Sequence, residues 1–531
     1  MCGKGGKSIS RFTFVILCCV LACCVLSCRE EKQNPNHDLS LAYYATLNVP
    51  SYAMCHEQIR REVLRLAAAD KDTLVADFYA KSHYIKRFAF VWIDRKGIDC
   101  RADSVLSRLR AVEEMGFNPD RFRIGQIDAD LRRARQLRFD DEANVASSVY
   151  ARLEYNLTKA YFRFATGQYF GYSNPNRLLN RLDRCDVESP YPAYQTLCAL
   201  GIPSPQKAFY DMALRKVRND SAVVFLDSLS PRRAYYHRLG RLLRGDSVSV
   251  YGRRLLMVNM ERSRWRTGDY PEMHTKHVIV NIPSFHLRAV DGDKVLLMRM
   301  GCGSRETKTP MLHSSITRVD INPQWIMPRS IVRKSVLPQI GNSWYFKSHR
   351  YFVRERSTGK NVDVENVTRE MLESGDYLVI QEGGEGNSLG RMIFRFDNDL
   401  SIYIHDTPSK SVFSRESRDV SHGCIRVEHP FDLAVFLVGD GDAKLVDKIR
   451  YSINADVSPV GKAKADLTDE QRAVADTLRR NMLVGSVGVK PRVPLFIVYF
   501  TLYPDADGTL RTFRDVYGYD EVIYRYLGNY M

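Results

Sequence analysis

The sequence predicts a multidomain α+β protein, mostly helical in its first half and β-rich in its second. Three observations carry this expectation. At 531 residues the chain is longer than one ordinary hydrophobic core accommodates, so two or three domains are expected. Between about 41 and 250, apolar residues recur at three- and four-residue steps. From about 276 the period changes to two. Hydrophobic content of 44% and charged content of 26% are those of a globular protein, and no fixed-period repeat is visible.

The first 40 residues are expected to be leader and tether. Lys4, Lys7 and Arg11, with no acid among them, precede the sixteen apolar residues "FTFVILCCVLACCVLS". Polarity returns at once in "CREEK", which completes the plan of a secretory signal. The run is shorter than the roughly 20 residues a spanning helix needs. Ser27 before Cys28 resembles a bacterial lipobox, which implies cleavage before Cys28 and a diacylglycerol on its sulfur. The expectation is therefore a signal peptide over 1–27, a tether over 28–40 and a body held by a lipid anchor at the periplasmic face of the cell envelope, on the inner or the outer membrane. An uncleaved signal anchor is the competing reading.

Net charge is +16, and loss of residues 1–27 removes three positive charges and no acid, leaving +13. Such an excess favours carboxylate-rich or polyanionic partners. Export and the lack of a nucleic-acid-binding motif argue against nucleic acid. Anionic lipid headgroups and a carboxylate-bearing wall polymer fit an exported body. Of twelve cysteines, seven remain after such cleavage: Cys28, Cys55, Cys100, Cys185, Cys198, Cys302 and Cys424. No CxxC pair or zinc-type spacing occurs among them. One disulfide is compatible with the count, and Cys185–Cys198 is the nearest pair.

The helical half shows its stripes clearly. Val145, Val149, Leu153, Leu157, Tyr161 and Phe164 mark one helix, with Gly167 suited to its end. "DSVLSRLRAVEEMGF" marks another, with Asp103 or Ser104 as cap and Gly116 as stop. In the second half, "KHVIVNIPSFHLRAV", the turn "DGDK" and "VLLMRM" form a hairpin. "RMIFRF" and "SIYIH" are further strands, "FDLAVFLV" is a helix opened by Pro430, and "VPLFIVYFTLY" is a last strand before the turn "PDADG".

Deep in the β-rich half stands "SHGCIRVEHP", residues 421–430. If "HGCIR" is extended, His422, Cys424 and Arg426 share one face. A free thiol has a pKa of about 8.5, and neighbouring cations lower it. Gly423 lets the backbone turn tightly and a substrate close in. Backbone N–H groups of Gly423 and Cys424 would then form an oxyanion hole. A nucleophilic thiol also needs a base, and His405, just past Ile402–Tyr403–Ile404, is the candidate. The residues alone leave three readings open: an inert buried thiol, a zinc ligand, which the spacing fits poorly, and a nucleophile.

"YIHDTPSKSVF" and "SHGCIRVEHP", with His405, a fifteen-residue spacer and Ser421-His422-Gly423-Cys424, closely resemble the L,D-transpeptidases with a YkuD-type catalytic domain, in particular their large scaffold-bearing subgroup. The likeness extends through "MVNMERSRWR", "VIVNIPSFHLRAV", "ETKTPMLHSSITRVDINPQWIMPRSIVRK", "GNSLGRMIFRF" and "VPLFIVYFTLYPDADGTLRTFRDVYGYD". It implies a helical scaffold domain over 41–250, a catalytic domain over 251–450 with a capping insertion at about 326–385, and a C-terminal segment, 451–531, packing back on either. It implies Cys424 as nucleophile, His405 as general base and Asp406 as the residue that orients the imidazole through its backbone carbonyl. Ser421, His422, Arg426 and Tyr403 would contact substrate.

The implied reaction joins peptidoglycan stem peptides by 3→3 cross-links through a Cys424 thioester, which carbapenem-type inhibitors would also form. No metal and no organic cofactor is implied. An L,D-carboxypeptidase using the same thioester, and a non-catalytic wall-binding lipoprotein, are the alternatives. Two departures stand out: no peptidoglycan-binding module is found before "MERSRWR", and Gly383 replaces a proline, which predicts a looser hinge for the cap. Cys302 is expected to be structural, and Trp325 and Trp344 to be packing anchors in the cap.

Overall fold

The computed structural model describes residues 55–531 except 95–96, 140–141, 186–192, 246, 440 and 506. Cys28, the leader and the tether expected over 28–40 lie outside the described residues. Two compact units are present. Of the described residues, one comprises those up to Tyr172 with 204–245 and 528–531, the other those of 173–203 and 247–527. Among the described residues, no helix is long and apolar enough to cross a membrane.

The first unit is helical and is organised on the helix Ala146–Phe170. Its apolar stripe predicts one buried face, yet nearly every side is covered, by His56–Ala69, Val75–Lys86, Arg101–Leu109 and Ile124–Gln136 among others. Full burial brings polar residues of the helix inside, and each is matched. Lys159 bridges Asp70 and Asp72 at 2.6 Å, and Arg163 pairs with Asp72 and Asp77 at 2.7 Å. Removing one partner from such a network would strand a buried charge. Two boundary expectations need correction. Gly167 does not end the helix, which runs to Phe170 and stops at Gly171 (φ 87°). A Cβ on Gly167 would lie 2.1 Å from the Tyr172 ring, so the glycine makes room for that aromatic. The second helix starts at Arg101, before either expected cap, where the Asp99 carboxylate accepts the Arg101 N–H at 2.7 Å.

The second unit is built on a β-sheet closed on itself. Its strands are β1 (Lys276–Asn281), β2 (His286–Asp291), β3 (Lys294–Gly303), β4 (Met311–Ile321), β5 (Met392–Phe396), β6 (Ile404–His405), β7 (Asp419–Ser421), β8 (Ile425–Val427) and β9 (Ser486–Val498). Pairing runs β5–β6–β8–β3–β2–β1–β9–β4, and β4 pairs with β5 again, which closes the circuit. The predicted hairpin is a three-stranded meander, because Ile282–Ser284 turns the chain between β1 and β2 before the expected turn at Gly292 joins β2 to β3. β1 is buried from His277 through Asn281 rather than alternately. β9, far along the chain, lies between β1 and β4, and Pro430–Val438 packs on it.

Between β4 and β5 the chain leaves the ring and makes a small sheet with its own core. Its strands lie in the order Asn361–Val362, Tyr351–Glu355, Tyr377–Gln381, Trp325–Ile326. Val336, Phe346, Val353 and Val379 form that core, with Trp325 packed against it. Trp344 is 74% exposed and so is not the packing anchor it was expected to be. Nor is the return through Gly383 loose. The Arg350 guanidinium donates to the carbonyls of Gly383 and Glu385, and a Cβ on Gly383 would lie 2.3 Å from the Asn322 carbonyl.

Candidate active site

β6 and β8 are parallel neighbours, with Ile404 opposite Ile425 and His405 opposite Arg426. Ile425 N–H donates to the Tyr403 carbonyl at 3.0 Å, so the pairing continues one step back and sets Tyr403 beside Cys424. Paired residues of parallel strands share a face, and residues two apart on one strand do too. Tyr403, His405, Cys424 and Arg426 therefore form one patch, with His405 and Cys424 diagonal neighbours on it. The Tyr403 and His405 rings meet edge to face, 5.9 Å between centroids.

The chain around Cys424 is not the continuous strand that period two predicts. β7 runs parallel to β3 at Cys302 and Gly303, and β8 runs antiparallel to the same strand at Gly301 and Met300. Residues 422–424 make the reversal, with Gly423 at φ 114°, a conformation L side chains rarely adopt. His422, at the start of that reversal, is exposed. Ser421 is buried, and its hydroxyl is spent inside the turn: it donates to the Cys424 carbonyl at 2.6 Å and accepts the Gly423 N–H at 3.1 Å. The Gly423 N–H, expected as an oxyanion donor, is thus engaged within the turn.

The turn is anchored from a segment that sequence reading passed over. Thr309 Oγ1 donates to the Gly423 carbonyl and accepts the Gly303 N–H, both at 2.8 Å. The Ser421 carbonyl accepts Ser304 N–H at 2.9 Å and Thr307 Oγ1 at 3.0 Å. Gly303 lies so close that a Cβ there would sit 2.0 Å from the Thr307 carbonyl and 3.0 Å from Gly423 Cα. The only sequence signal for this was the Gly-flanked run "GCGS" before a threonine pair. Cys302 within it is fully buried beside the Tyr517 hydroxyl, and burial pushes its thiol up to about 12, so it is inert packing.

The Cys424 thiol is half-buried and points toward the Ser401 carbonyl, 3.8 Å away. Burial raises its pKa above the ordinary thiol value; the Tyr403 backbone and hydroxyl, Arg426 and Arg395 pull it down, but less. Neighbouring cations were expected to leave a lowered thiol, and here desolvation outweighs them. His405 is only 4% exposed, and its pKa is lowered to about 4, first by burial and then by the Arg426 charge. Both groups therefore rest neutral near pH 7. Arg395, missed in the sequence, stacks 5.4 Å over the Tyr403 ring while its Nε holds Asp320 at 2.8 Å.

Asp406 is buried, and its carboxylate faces away from the imidazole: it accepts N–H from Arg391 at 2.8 Å and Thr407 at 2.7 Å, and pairs with Lys410 at 2.6 Å. Its backbone and that of Leu389 act on the ring, favouring its protonated form against burial. Two buried polar atoms on the patch, His405 Nδ1 and Arg426 Nε, have no hydrogen-bond partner, and Arg426 meets no carboxylate among the described residues. Buried polar groups are rarely left so, and a catalytic role is one of the reasons for such exceptions. The described cysteines are all free, so Cys185, which is exposed, and Cys198, which is buried, form no disulfide. Among the described residues, no group of three or more His, Cys, Asp or Glu is placed to hold a metal ion.

Residues 275–448 match the L,D-transpeptidase catalytic domain family (YkuD), and residues 73–243 match the Scaffold domain family. A Haemophilus influenzae protein named "Putative L,D-transpeptidase" is 28% identical over 256 residues, which cover 48% of this chain and 46% of that protein. The chain thus spans less than half the length of this relative.

Proposed function

Because the chain belongs to the L,D-transpeptidase family, with a YkuD catalytic domain and a Scaffold domain, we propose that it is a cysteine-dependent acyltransferase that makes 3→3 cross-links between peptidoglycan stem peptides. The observation that carries this reading is the patch of Cys424, His405, Tyr403 and Arg426, with two unpartnered buried polar atoms around a half-buried thiol.

In this reading the neutral imidazole of His405 takes the Cys424 proton as the sulfur attacks the carbonyl of the third residue of a donor stem. The resting pair is thiol and imidazole, because burial disfavours both thiolate and imidazolium. Proton transfer therefore accompanies attack rather than preceding it. The carbonyl oxygen, as it becomes an oxyanion, meets the Cys424 N–H. Collapse breaks the peptide bond, and the imidazolium returns its proton to the leaving amine of the terminal D-alanine. An amine from a neighbouring stem then attacks the thioester, forms the new peptide bond and restores the thiol. Arg426, which meets no carboxylate among the described residues, binds a substrate carboxylate, for which a planar guanidinium is suited. Asp406 positions His405 through the backbone, and Ser421 holds the turn that presents Cys424. The lipobox at Cys28 supports a membrane anchor that keeps the enzyme beside its wall substrate.

Purified protein incubated with a disaccharide tetrapeptide tests the reading. Dimers linked 3→3, together with a thioester adduct that maps to Cys424 and is absent from Cys424→Ala, are expected. Monomeric tripeptide alone would make water the acceptor and the protein an L,D-carboxypeptidase. Neither product nor adduct from folded protein would leave a wall-binding protein without catalysis.

A further inference from the structure

The second unit has a groove of about 410 Å³ whose lining shares no residue with the Cys424 patch. Arg350, Phe352 and Arg354 of the insertion form one wall, Val460 and Lys462 the other, and Glu382 sits between them. Three cations thus face one carboxylate. That carboxylate is already engaged, by Lys462 at 2.9 Å and by Arg350 Nε at 3.5 Å. Arg354 has no carboxylate partner among the described residues. Its Nε bonds the Asn361 side-chain oxygen at 3.2 Å and its guanidinium lies 5.1 Å over the Phe352 ring, which leaves the rest of the fork open.

The groove is held rather than incidental. Arg350 adopts a left-handed backbone, φ 57°, uncommon for a side-chain-bearing residue, and its guanidinium is fixed by the carbonyls of Gly383 and Glu385. The side chains of Arg350, Glu382 and Lys462 are only 30%, 27% and 29% exposed, so charges there are screened less than on open surface. Its volume falls in the range of small-ligand and short-peptide pockets. The walls combine surplus positive charge with the apolar faces of Phe352 and Val460.

The groove is also coupled to the Cys424 patch by sequence adjacency. Gln324 lines the groove, while the side chain of the next residue, Trp325, acts on the Tyr403 hydroxyl beside Cys424 and eases its ionisation against burial. On the other side of the Trp325 strand, Tyr377–Gln381 pairs Gln381 with Trp325 and with Tyr351, next to Phe352.

From the surplus charge, the apolar walls and this adjacency we infer that the groove is a second peptide site, which binds the free C-terminal carboxylate of a stem peptide not engaged at Cys424. The inference rests on the proposed function for the identity of the peptide. Such a site would hold a neighbouring strand in place.

The test is photo-cross-linking of the full chain carrying Cys424→Ala with a diazirine-bearing tetrapeptide stem, followed by peptide mapping. The expected result is labelling in two places, around 401–426 and around 352–354 with 457–462. Arg354→Glu should cut the groove label at least tenfold and leave the 401–426 label intact. The C-terminal amide of the probe should lose the groove label as well. If Arg354→Glu unfolds the chain, Arg354→Gln, which keeps hydrogen bonding without charge, is measured instead and should cut the label severalfold. Label at 401–426 alone, or groove label indifferent to both charge and amidation, would overturn the second site and leave the proposed function standing. No label at either place would remove the stem peptide as ligand and both readings with it.

Discussion

His405 and Arg426 occupy paired positions on the adjacent parallel strands β6 and β8, so a guanidinium stands beside a buried imidazole. The strand register thus makes a base that is hard to protonate. Burial is the larger cause and the Arg426 charge adds to it, holding the ring to about 4. Several expectations follow from this pair and from the turn it faces.

The acid limb of kcat/KM for acylation should lie near pH 4 rather than near the ordinary imidazole value of about 6.5. Arg426→Gln removes the smaller of the two causes and should move the limb upward, by less than the full displacement. A pH–rate profile of wild type and variant checks this. A limb at 6.5 in wild type would show that burial and Arg426 do not depress the base.

The same displacement has a stability consequence. An imidazole whose folded pKa is depressed leaves stability intact above the unfolded value of about 6.5. Below it the unfolded chain binds a proton that the folded one refuses until about 4, so stability falls across that window. The loss between pH 7 and pH 5 should be about 2 kcal/mol, and His405→Gln should abolish it. Hydrogen exchange of second-unit amides at the two pH values measures this directly.

Glu154 gives the first unit the opposite slope. Its carboxylate is fully buried and accepts N–H from Val91 at 2.5 Å and Trp92 at 3.0 Å; burial raises its pKa to about 7. The folded state therefore binds the proton more tightly, and stability is full below the unfolded value and lost as pH rises through 7. From pH 5 to pH 7 the first unit should lose about 2 kcal/mol, and Glu154→Gln should flatten the curve. Exchange in first-unit amides should move against that in the second.

Ser421→Ala removes the hydroxyl that bonds both the Cys424 carbonyl and the Gly423 N–H. A cost of about 1–3 kcal/mol is expected for the buried groups left unpaired. Acylation of Cys424 should slow by more than substrate binding weakens, because the turn that presents the sulfur loosens. Unfolding curves and single-turnover acylation separate the two effects.

The two glycines at the turn should differ in severity. Gly423→Ala meets the movable Ile402 Cδ1 at 3.1 Å but forces a side chain into φ 114°. Strain of about 1–3 kcal/mol is expected. Gly303→Ala puts a Cβ 2.0 Å from the Thr307 carbonyl, a backbone atom that cannot swing aside. It should cost more and should also displace Gly423. Thermal unfolding of the two variants ranks them, and equal effects would show that the 303–309 segment does not buttress the turn.

Much of this was legible in the residues. The change of period from helical to alternating divides the chain, and "VIVN", "RMIF" and "FDLAVFLV" become the two strands and the helix expected of them, although "VIVN" is buried continuously rather than on one face. What failed was decided at a distance. Gly167 looked like a helix stop until Tyr172 filled the space above it, and Trp344 looked like an anchor although the small core closes without it.

Sequence by itself determined which chemical groups this protein brings to its site: a thiol beside a glycine, an imidazole at a strand end, an arginine two residues past the thiol. Only the tertiary structure decided what those groups are like. A parallel pairing between residues some twenty positions apart set His405 against Arg426, and a reversal on β3 left His422 exposed and engaged the Gly423 N–H. The reason is that a pKa answers to desolvation and to charges across space. Those depend on which strands meet, and no spacing along one strand contains that information.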